Sequence, residues 1–563
     1  MMMPEQAIQE VLSEIKKLKG PAIKGIDQIK RDILKKYHLK RTPSNIELLL
    51  RVREEELGFY QKIFLGKPIR TASGVAPVAL MTAPGSCPHG KCTFCPGGRG
   101  SPWGDVPQSY TGHEPATMRG MRNNYDSYLM TFNRLEQYIL LGHTIDKVEF
   151  IIMGGTFPAT PKEYQEGFIR GAFKALNDFS DLFFDREGNL KIKEFKEFFE
   201  FPGEMRDALR MQHIHEKLRQ LKVRTNTVLE QEQRRNERAK VRCIALCIET
   251  KPDWGFLEQG NEMLRQGCTR VELGIESVYD DVLSFTHRGH TAADSKKSIQ
   301  ILRNLGFKIN FHYMPGLPLT DKERDIAGMK KLFDDPDYRP DMIKFYPTMV
   351  APGTTLYLQW KQGKFDPIST EEAAERLVPI KEYTPEYCRI QRIQRDVPTK
   401  YWSAGVGLTN FRQFIHEKYK PKCRCIRCRE PLGKKINWKK VRIKVMEFEA
   451  SKGTEFFIAA EDVSQDILIG FCRLRFPGQY LRPEINADSA LIRELHVYGT
   501  ATAIGEEGMV QHKGWGKKLM ERAEEIAREH GKKKMVVISG VGVKEYYRKL
   551  GYASEGPYMV KGL

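Results

Sequence analysis

The sequence predicts an α/β chain of two large units: a partial (β/α)6 barrel over residues 71–385 and a separate α/β domain over 441–563. Three observations predict it. Apolar runs of strand length alternate with amphipathic helical stretches through the first unit, the pattern of βα units around a parallel sheet. From 441 the pattern changes to alternation in VRIKVMEFEA, EFFIAAED and ILIGFCRLRF, which marks antiparallel strands. Between the two lies a basic, cysteine-bearing segment, 386–440. At 563 residues the chain is too long for one core, so this division is expected.

Composition narrows the function classes. With 40% apolar and 29% charged residues the chain reads as an ordinary globular protein. No stretch approaches the length and apolarity of a membrane span, so no membrane partner is expected. MMMPEQAIQEVLSEIKKLKG carries acids and lacks an apolar core, so it does not read as a secretory signal. The expected location is the cytoplasm, where thiols stay reduced, and the 11 cysteines then favour metal over disulfides. A formal net charge of +19 draws polyphosphates, and a nucleic acid is the natural partner. A surface rich in ion pairs explains many charges but not an imbalance of sign.

Taken in order, 1–70 reads as short basic helices. Ile15, Leu18, Ile29, Ile33 and Leu34 have helical apolar spacing, and Lys16, Lys17, Lys19, Lys30, Arg31, Lys35, Lys36, Lys40 and Arg41 crowd the polar positions. Either a solvated face or an arm along a phosphate backbone fits them. The first barrel strand, GVAPVALMTAP, leads into CPHGKCTFCPGG, which places Cys87, Cys92 and Cys95 on one loop. Soft thiolates so crowded suit a zinc ion with a fourth ligand elsewhere, or a [4Fe–4S] cluster with one iron left open. Five further strands are expected in KVEFIIMGGTFP, VRCIALCIETKPD, RVELGIESVYD, FKINFHYMPGLP and DMIKFYPTMVAPGT. Their motifs fall at strand C-termini, where barrel chemistry sits. A charged helical insertion, roughly 160–240, separates the second strand from the third.

In the 386–440 segment, KCRCIRCRE sets Cys423, Cys425 and Cys428 in a C-x-C-x₂-C pattern, a zinc signal with Cys388 or His416 as fourth ligand. The last domain continues with SALIRELHVYG as a strand, then a Gly-rich turn that opens a helix bearing Leu519, Ala523, Ile526 and Ala527 on one face. Gly531 stands where a C-terminal cap belongs. Gln511-x-x-Gly514-x-Gly516 frees backbone N–H groups at a helix N-terminus for an anion, with a pyrophosphate the fitting ligand and Lys513, Lys517 and Lys518 adding charge.

That turn, between ELHVYG and YYRKLGY, resembles the GNAT acetyltransferases. The resemblance implies acetyl-CoA on the turn, including Trp515, and Glu494, Leu495, His496 and Val497 along the pantetheine and acetyl group. It also implies that Tyr546 or Tyr547 lies near the thioester sulfur, able to protonate the leaving thiolate, with core packing the alternative for one of them. The cysteine loop at the mouth of a partial barrel resembles the radical SAM enzymes, though their usual spacing is C-x₃-C-x₂-C and this chain has C-x₄-C-x₂-C. This implies a [4Fe–4S] cluster on Cys87, Cys92 and Cys95, with S-adenosylmethionine (SAM) on its open iron. Gly154 and Gly155 would meet the methionine part, and Glu249 and Glu276 would contact the cofactor.

Both units on one chain, with GVAPVALMTAP, MGGTFPA, ETKPD, QRDVP and VISGVG, are similar to the family of the catalytic third subunit of Elongator over roughly 70–563. The family implies tRNA wobble-uridine modification. A SAM-derived radical would take hydrogen from the acetyl methyl of acetyl-CoA, and that carbon would join C5 of uridine 34. Lys147 would reach the acetyl-CoA, and a tRNA anticodon stem-loop would be the partner. A homodimer and an Elongator-like assembly both stay open. The alternative is a protein lysine acetyltransferase, for instance of histone tails, with a structural cluster. A basic substrate favours an acidic surface, which +19 opposes.

Overall fold

The computed structural model describes residues 4–18, 23–39, 41–64, 71, 73–201, 207–395, 397–498 and 514–563. Gln511 and Lys513, and with them most of the expected coenzyme turn, lie outside the described residues.

The strands of the first unit are β1 (Ala76–Met81), a hairpin of β2 (Gly98–Ser101) and β3 (Gly104–Val106), β4 (Lys147–Met153), β5 (Arg242–Thr250), β6 (Arg270–Glu276), β7 (Lys308–Tyr313), β8 (Met342–Phe345) and β9 (Arg389–Ile393). One sheet runs β1-β4-β5-β6-β7-β8-β9, every neighbour parallel, with the hairpin apart. It is the expected open barrel with a seventh strand, β9, which comes from the segment read as a linker. Its sequence, RIQRI, has only Ile390 and Ile393 buried, so its apolar signal is too short to mark a strand. By contrast β6, central in the sheet, is buried at all seven residues, as a strand covered on both faces must be.

The insertion forms helices Lys162–Phe183, Ile192–Phe198, Ala208–Val223 and Leu229–Asn236. Phe179, Phe183, Phe195 and Phe199 pack ring on ring within it, and Phe179 meets Phe132 of the barrel's outer helix Ser127–Leu140. The N-terminal helices, Glu5–Lys17, Ile23–Lys36, Asn45–Leu49 and Leu57–Ile63, bury Ile15 and Ile33 as read. Lys30, read as polar-face, is instead buried and bonds Asn45, and Lys36 pairs with Glu10, so part of this basic surface is neutralised internally.

The second sheet holds β10 (Val441–Ala450), β11 (Gly453–Asp462), β12 (Ile467–Phe476), β13 (Ser489–Val497), β14 (Lys534–Val537), β15 (Ala553–Glu555) and β16 (Tyr558–Gly562), in the order β10-β11-β12-β13-β14-β16-β15. Only β13 and β14 pair in parallel. Helix Trp515–Glu529 buries Leu519, Ala523, Ile526 and Ala527 against it. Gly531 closes that helix at φ +69°, donating to Arg528 O at 2.9 Å while Lys532 N donates to Ala527 O at 2.9 Å.

The two sheets share a buried polar joint. Arg493 on β13 binds Asp341 before β8, and Arg473 on β12 donates to Tyr387 O at 2.7 Å. Arg475 donates to Asn304 Oδ1 at 2.6 Å, and Lys308 to Glu494 Oε1 at 2.6 Å. Gly540 of the VISGVG motif touches the barrel so closely that a Cβ there would fall 1.8 Å from Ile244 O.

Candidate active site

The cysteine loop follows β1 because Pro84, Gly85 and Pro88 deny it regular structure and leave its backbone to turn around a centre. Each sulfur is met by a polar neighbour. Thr156 Oγ1 donates to Cys87 Sγ at 3.4 Å, Arg288 Nη1 to Cys92 Sγ at 3.3 Å, and Ser109 N to Cys95 Sγ at 3.1 Å. His89 Nε2 also lies 3.2 Å from Cys92 Sγ. Burial pushes the Cys87 thiol up and the Cys95 thiol up to about 11, so without an ion both stay protonated. The three sulfurs do not close to single-ion distance, whereas those of Cys423, Cys425 and Cys428 lie within 4.8 Å of one another. A cube of iron and sulfide spreads its ligands farther than one ion does, and the wider loop fits the cube.

Around the loop the structure brings together what the sequence singled out. Gly154, at φ +118°, would put a Cβ 2.3 Å from Thr82 Oγ1, and Gly155, at φ +64°, would put one 3.6 Å from Cys87 Sγ. No side chain fits at Gly154, and Gly155 keeps backbone open beside the sulfur. Glu276 is held at φ +62° by a bulge in β6, a strained position for a non-glycine residue. Its Oε2 is buried with no hydrogen-bond partner among the described residues, and its Oε1 stands 3.8 Å from Arg288. An orphan carboxylate oxygen at the mouth fits the ammonium of an amino-acid group. Glu249 is engaged instead: Tyr110 OH donates to its Oε2 at 2.9 Å and Lys344 Nζ to its Oε1 at 3.2 Å. Lys344 also bonds Glu272, which takes His312 Nε2 at 2.9 Å. The nearby cations hold the buried Glu272 carboxyl well below its usual range.

One cavity of about 730 Å³ joins these groups. Its wall includes the three cysteines, Gly155, Glu249, Glu276, Arg288, His312 and Lys344, and it runs on to Arg389, Arg392, Arg412 and Arg427. Lys147 begins β4 on the face that carries Glu149, Ile151 and Met153 of the wall, but is not itself a wall residue.

The expected coenzyme strand divides between two faces. A bulge at Arg493 shifts the register of β13 against β12. Leu495 and Val497 then pack with the helix Trp515–Glu529, whereas Glu494 turns to the barrel and pairs with Lys308. His496 lies on the barrel side as well, its Nε2 buried without a hydrogen-bond partner among the described residues, and burial presses its pKa down to about 4. The side chains of Glu494 and His496 thus face the barrel, and those of Leu495 and Val497 the helix. Strand alternation puts any four consecutive residues two to each face, and the bulge, which leaves no mark in an apolar pattern, decides which pair faces the helix.

Gly514 begins the helix at φ +69°, with Trp515, Gly516 and Lys517 in its first turn. A Cβ at Gly516 would meet Tyr546 OH at 2.9 Å, so Tyr546 reaches the coenzyme turn. Tyr547 packs in the core between sheet and helix.

Cys423, Cys425 and Cys428 converge as read, with Cys425 the low-pKa thiol because the two others hydrogen-bond to it. Cys388 is not part of that set. Its thiol is buried and its carbonyl accepts from Ile426 N at 3.0 Å. His416 also stands outside the set that lies within 4.8 Å. Sequence reasoning missed Tyr110, Arg288, His312 and Lys344. Only Arg288 had a visible signal, the HRGH run after the fourth strand.

Fold and site define a radical SAM half-barrel joined to a GNAT acetyltransferase. Family models agree: the Radical SAM superfamily matches residues 83–329, its C-terminal domain 340–420, the GNAT acetyltransferase family 414–552, and the ELP3 N-terminal domain 4–72. The chain is 44% identical to the tRNA uridine(34) acetyltransferase of Methanocaldococcus jannaschii, covering 99% of this chain and 97% of the relative. It is 38% identical to Elongator complex protein 3 of Homo sapiens, covering 96% of this chain and 93% of the relative. The solved structure of Methanocaldococcus infernus Elp3 with an N-terminal deletion superposes with a TM-score of 0.71 at 39% identity, covering 88% of this chain and 100% of that one. The chain belongs to the Elongator protein 3 family of tRNA uridine(34) acetyltransferases. Its cofactors are accordingly a [4Fe–4S] cluster, SAM and acetyl-CoA.

Proposed function

We propose that this acetyltransferase attaches the acetyl group of acetyl-CoA through its methyl carbon to C5 of the wobble uridine of tRNA, as a carboxymethyl group. The observation that supports this most directly is the barrel cavity, whose wall residue Arg389 bonds the acetyltransferase domain. It has Cys87, Cys92 and Cys95 at one end and, at the other, Arg389, which bonds Tyr498 just past β13 at 3.2 Å. The barrel cavity that holds the cysteine loop is thus tied at Arg389 to the acetyltransferase sheet, which suits a carbon passed from one domain to the other. Ordinary acetyl transfer needs only a nucleophile, whereas bonding through the methyl carbon needs that carbon activated. When bound, the cluster and SAM supply a carbon-centred radical able to take a methyl hydrogen.

The chain's own residues hold the parts. Cys87, Cys92 and Cys95 would bind the cluster, while Gly154, Gly155, Glu249 and Glu276 would orient SAM. Glu494, Leu495, His496 and Val497, with the first turn at Gly514–Lys517, would seat acetyl-CoA. Lys147 would meet the acetyl-CoA from the N-terminal end of β4. Tyr546, beside that turn, would hold a proton for the departing thiolate, with Tyr547 the packing residue behind it. Ten arginines and lysines face four glutamates along the cavity wall, a balance that suits an anticodon stem-loop with one base turned out. Cys423, Cys425 and Cys428 would hold zinc, with a fourth ligand still to be supplied, and would brace β9 through the Ile426–Cys388 bond. No described helix is long and apolar enough to cross a membrane, and we place the reaction in the cytoplasm.

The test is anaerobic incubation with tRNA and methyl-labelled acetyl-CoA, with and without SAM, followed by nucleoside and protein analysis. Label on uridine only when SAM is present is expected. Label on protein lysine and never on uridine would overturn the proposal.

A further inference from the structure

We propose that Arg389, Arg412 and Arg427 form a phosphate-binding site at the end of the cavity away from the cysteine loop, one that takes a phosphodiester of the RNA or a phosphate of coenzyme A. The choice of these two ligands rests on the reaction proposed above.

The three guanidinium groups meet on three consecutive residues of one strand. Arg389 belongs to β9, Arg412 Nη2 donates to Ile390 O at 2.7 Å, and Arg427 Nη1 donates to Gln391 O at 3.1 Å. All three line the cavity. They reach it from different elements: the edge strand, the helix Phe411–Tyr419 and the short helix Ile426–Arg429. Among the described residues only Arg389 of the three has a carboxylate, Glu430, and it also bonds Tyr498 OH. Arg412 and Arg427 bond main-chain carbonyls and make no ion pair with a described side chain.

Capping the free carbonyls of an edge strand uses one guanidinium nitrogen each and leaves the other donors of the planar fork free. The cysteines beside Arg412 do not neutralise the group. Three thiolates around a divalent ion amount to one negative charge, and Glu430 supplies another. Three guanidiniums exceed these by one positive charge, which a phosphodiester monoanion matches. Half-buried like charges repel one another unless such a ligand is present, and forked guanidiniums are suited to bind phosphate through two parallel hydrogen bonds. Of the wall's carboxylates, Glu249 is engaged by Tyr110 and Lys344, Glu149 by Arg270, and Glu114 by Thr111 and Thr117, while Glu276 stands at the mouth beside Arg288.

The experiment compares the wild type with an R412Q/R427Q double variant in equilibrium binding. The probes are an anticodon stem-loop RNA over a salt series, coenzyme A, and dephospho-coenzyme A. For an RNA phosphodiester, RNA affinity falls about tenfold or more, and coenzyme A binding is unchanged. The salt slope then drops by about 0.7 for each phosphate that the protein no longer neutralises. For the 3′-phosphate of coenzyme A, its affinity falls to that of dephospho-coenzyme A while RNA binding holds. A fall shared by both coenzyme forms assigns the site to the pyrophosphate. Unchanged affinity for all three probes, with an unchanged melting curve, overturns the proposal. If the double variant fails to fold, phenylglyoxal mapping of the wild type replaces it. Arg412 and Arg427 should be protected by RNA or coenzyme A, and equal modification with and without both overturns the proposal. No turnover is measured, so the outcome is independent of whether the methyl carbon reaches uridine.

Discussion

Asp341 and Arg493 form a two-pronged ion pair across the boundary of the two sheets, Nη1 2.8 Å from Oδ2 and Nη2 2.6 Å from Oδ1. Asp341 stands before β8 of the half-barrel, and Arg493 sits at the bulge of β13 in the acetyltransferase sheet. Arg493 also donates to Glu455 Oε2 at 2.9 Å and to Phe307 O at 2.7 Å, so both domains share it. Against the effect of burial, Arg493 and Arg473 hold the Asp341 carboxyl far below its usual range.

Removing one partner of such a pair leaves a buried charge without compensation. Asp341→Ala should therefore cost about 3–5 kcal/mol in chemical denaturation. Tryptophan signals from both domains should shift together, because the joint is common to both. A loss confined to one domain's transition would contradict a shared joint.

Gly540 lies at an ordinary φ of −59°, so substitution there strains no backbone, but a Cβ would meet Ile244 O at 1.8 Å. Gly540→Ala should push the acetyltransferase sheet off β5. Acetyl-CoA affinity, measured by calorimetry, should change less than threefold, while carbon transfer to uridine falls at least tenfold. Equal loss of both would mean that the glycine serves its own domain alone.

The two cysteine sets should behave independently. Anaerobic metal analysis of Cys92→Ala should show the iron of the cluster gone and zinc kept. Cys428→Ala should show the reverse. Loss of both metals from either variant would mean one set depends on the other.

His496 gives the joint a pH dependence. Burial is the main cause of its depressed pKa, with Lys308 and Arg389 adding repulsion and Glu494 opposing them. The folded protein therefore resists protonating a ring that the unfolded chain protonates near 6.5. Between 6.5 and about 4 the unfolded state binds the extra proton, so stability falls as pH is lowered through that window. The loss should approach about 3 kcal/mol at its lower edge. His496→Gln should flatten the curve of stability against pH between those limits.

Much of the fold was legible because its signals are local. Six parallel strands, the helical insertion, the Gly531 cap and the antiparallel sheet each follow from periodicity and turn residues. The site was legible where chemistry demands a residue type, as in Cys87, Cys92, Cys95 and the pair Gly154-Gly155. What the sequence hid depends on long-range register. β9 is a strand only because β8 offers it an edge. Glu494 pairs with Lys308 of the barrel because a bulge at Arg493 reverses the alternation of β13. Lys344 looked like a stray charge in an apolar strand until Glu249 and Glu272 closed on it.

The central claim is that a methyl hydrogen of acetyl-CoA leaves in the barrel cavity that holds the cysteine loop. Trideuteromethyl acetyl-CoA, supplied with SAM, reductant and tRNA under anaerobic conditions, tests it by mass spectrometry of the 5′-deoxyadenosine released. The account predicts one deuterium in that product and two in the methylene group carried by the modified uridine. Deuterium-free 5′-deoxyadenosine together with modified uridine would contradict it.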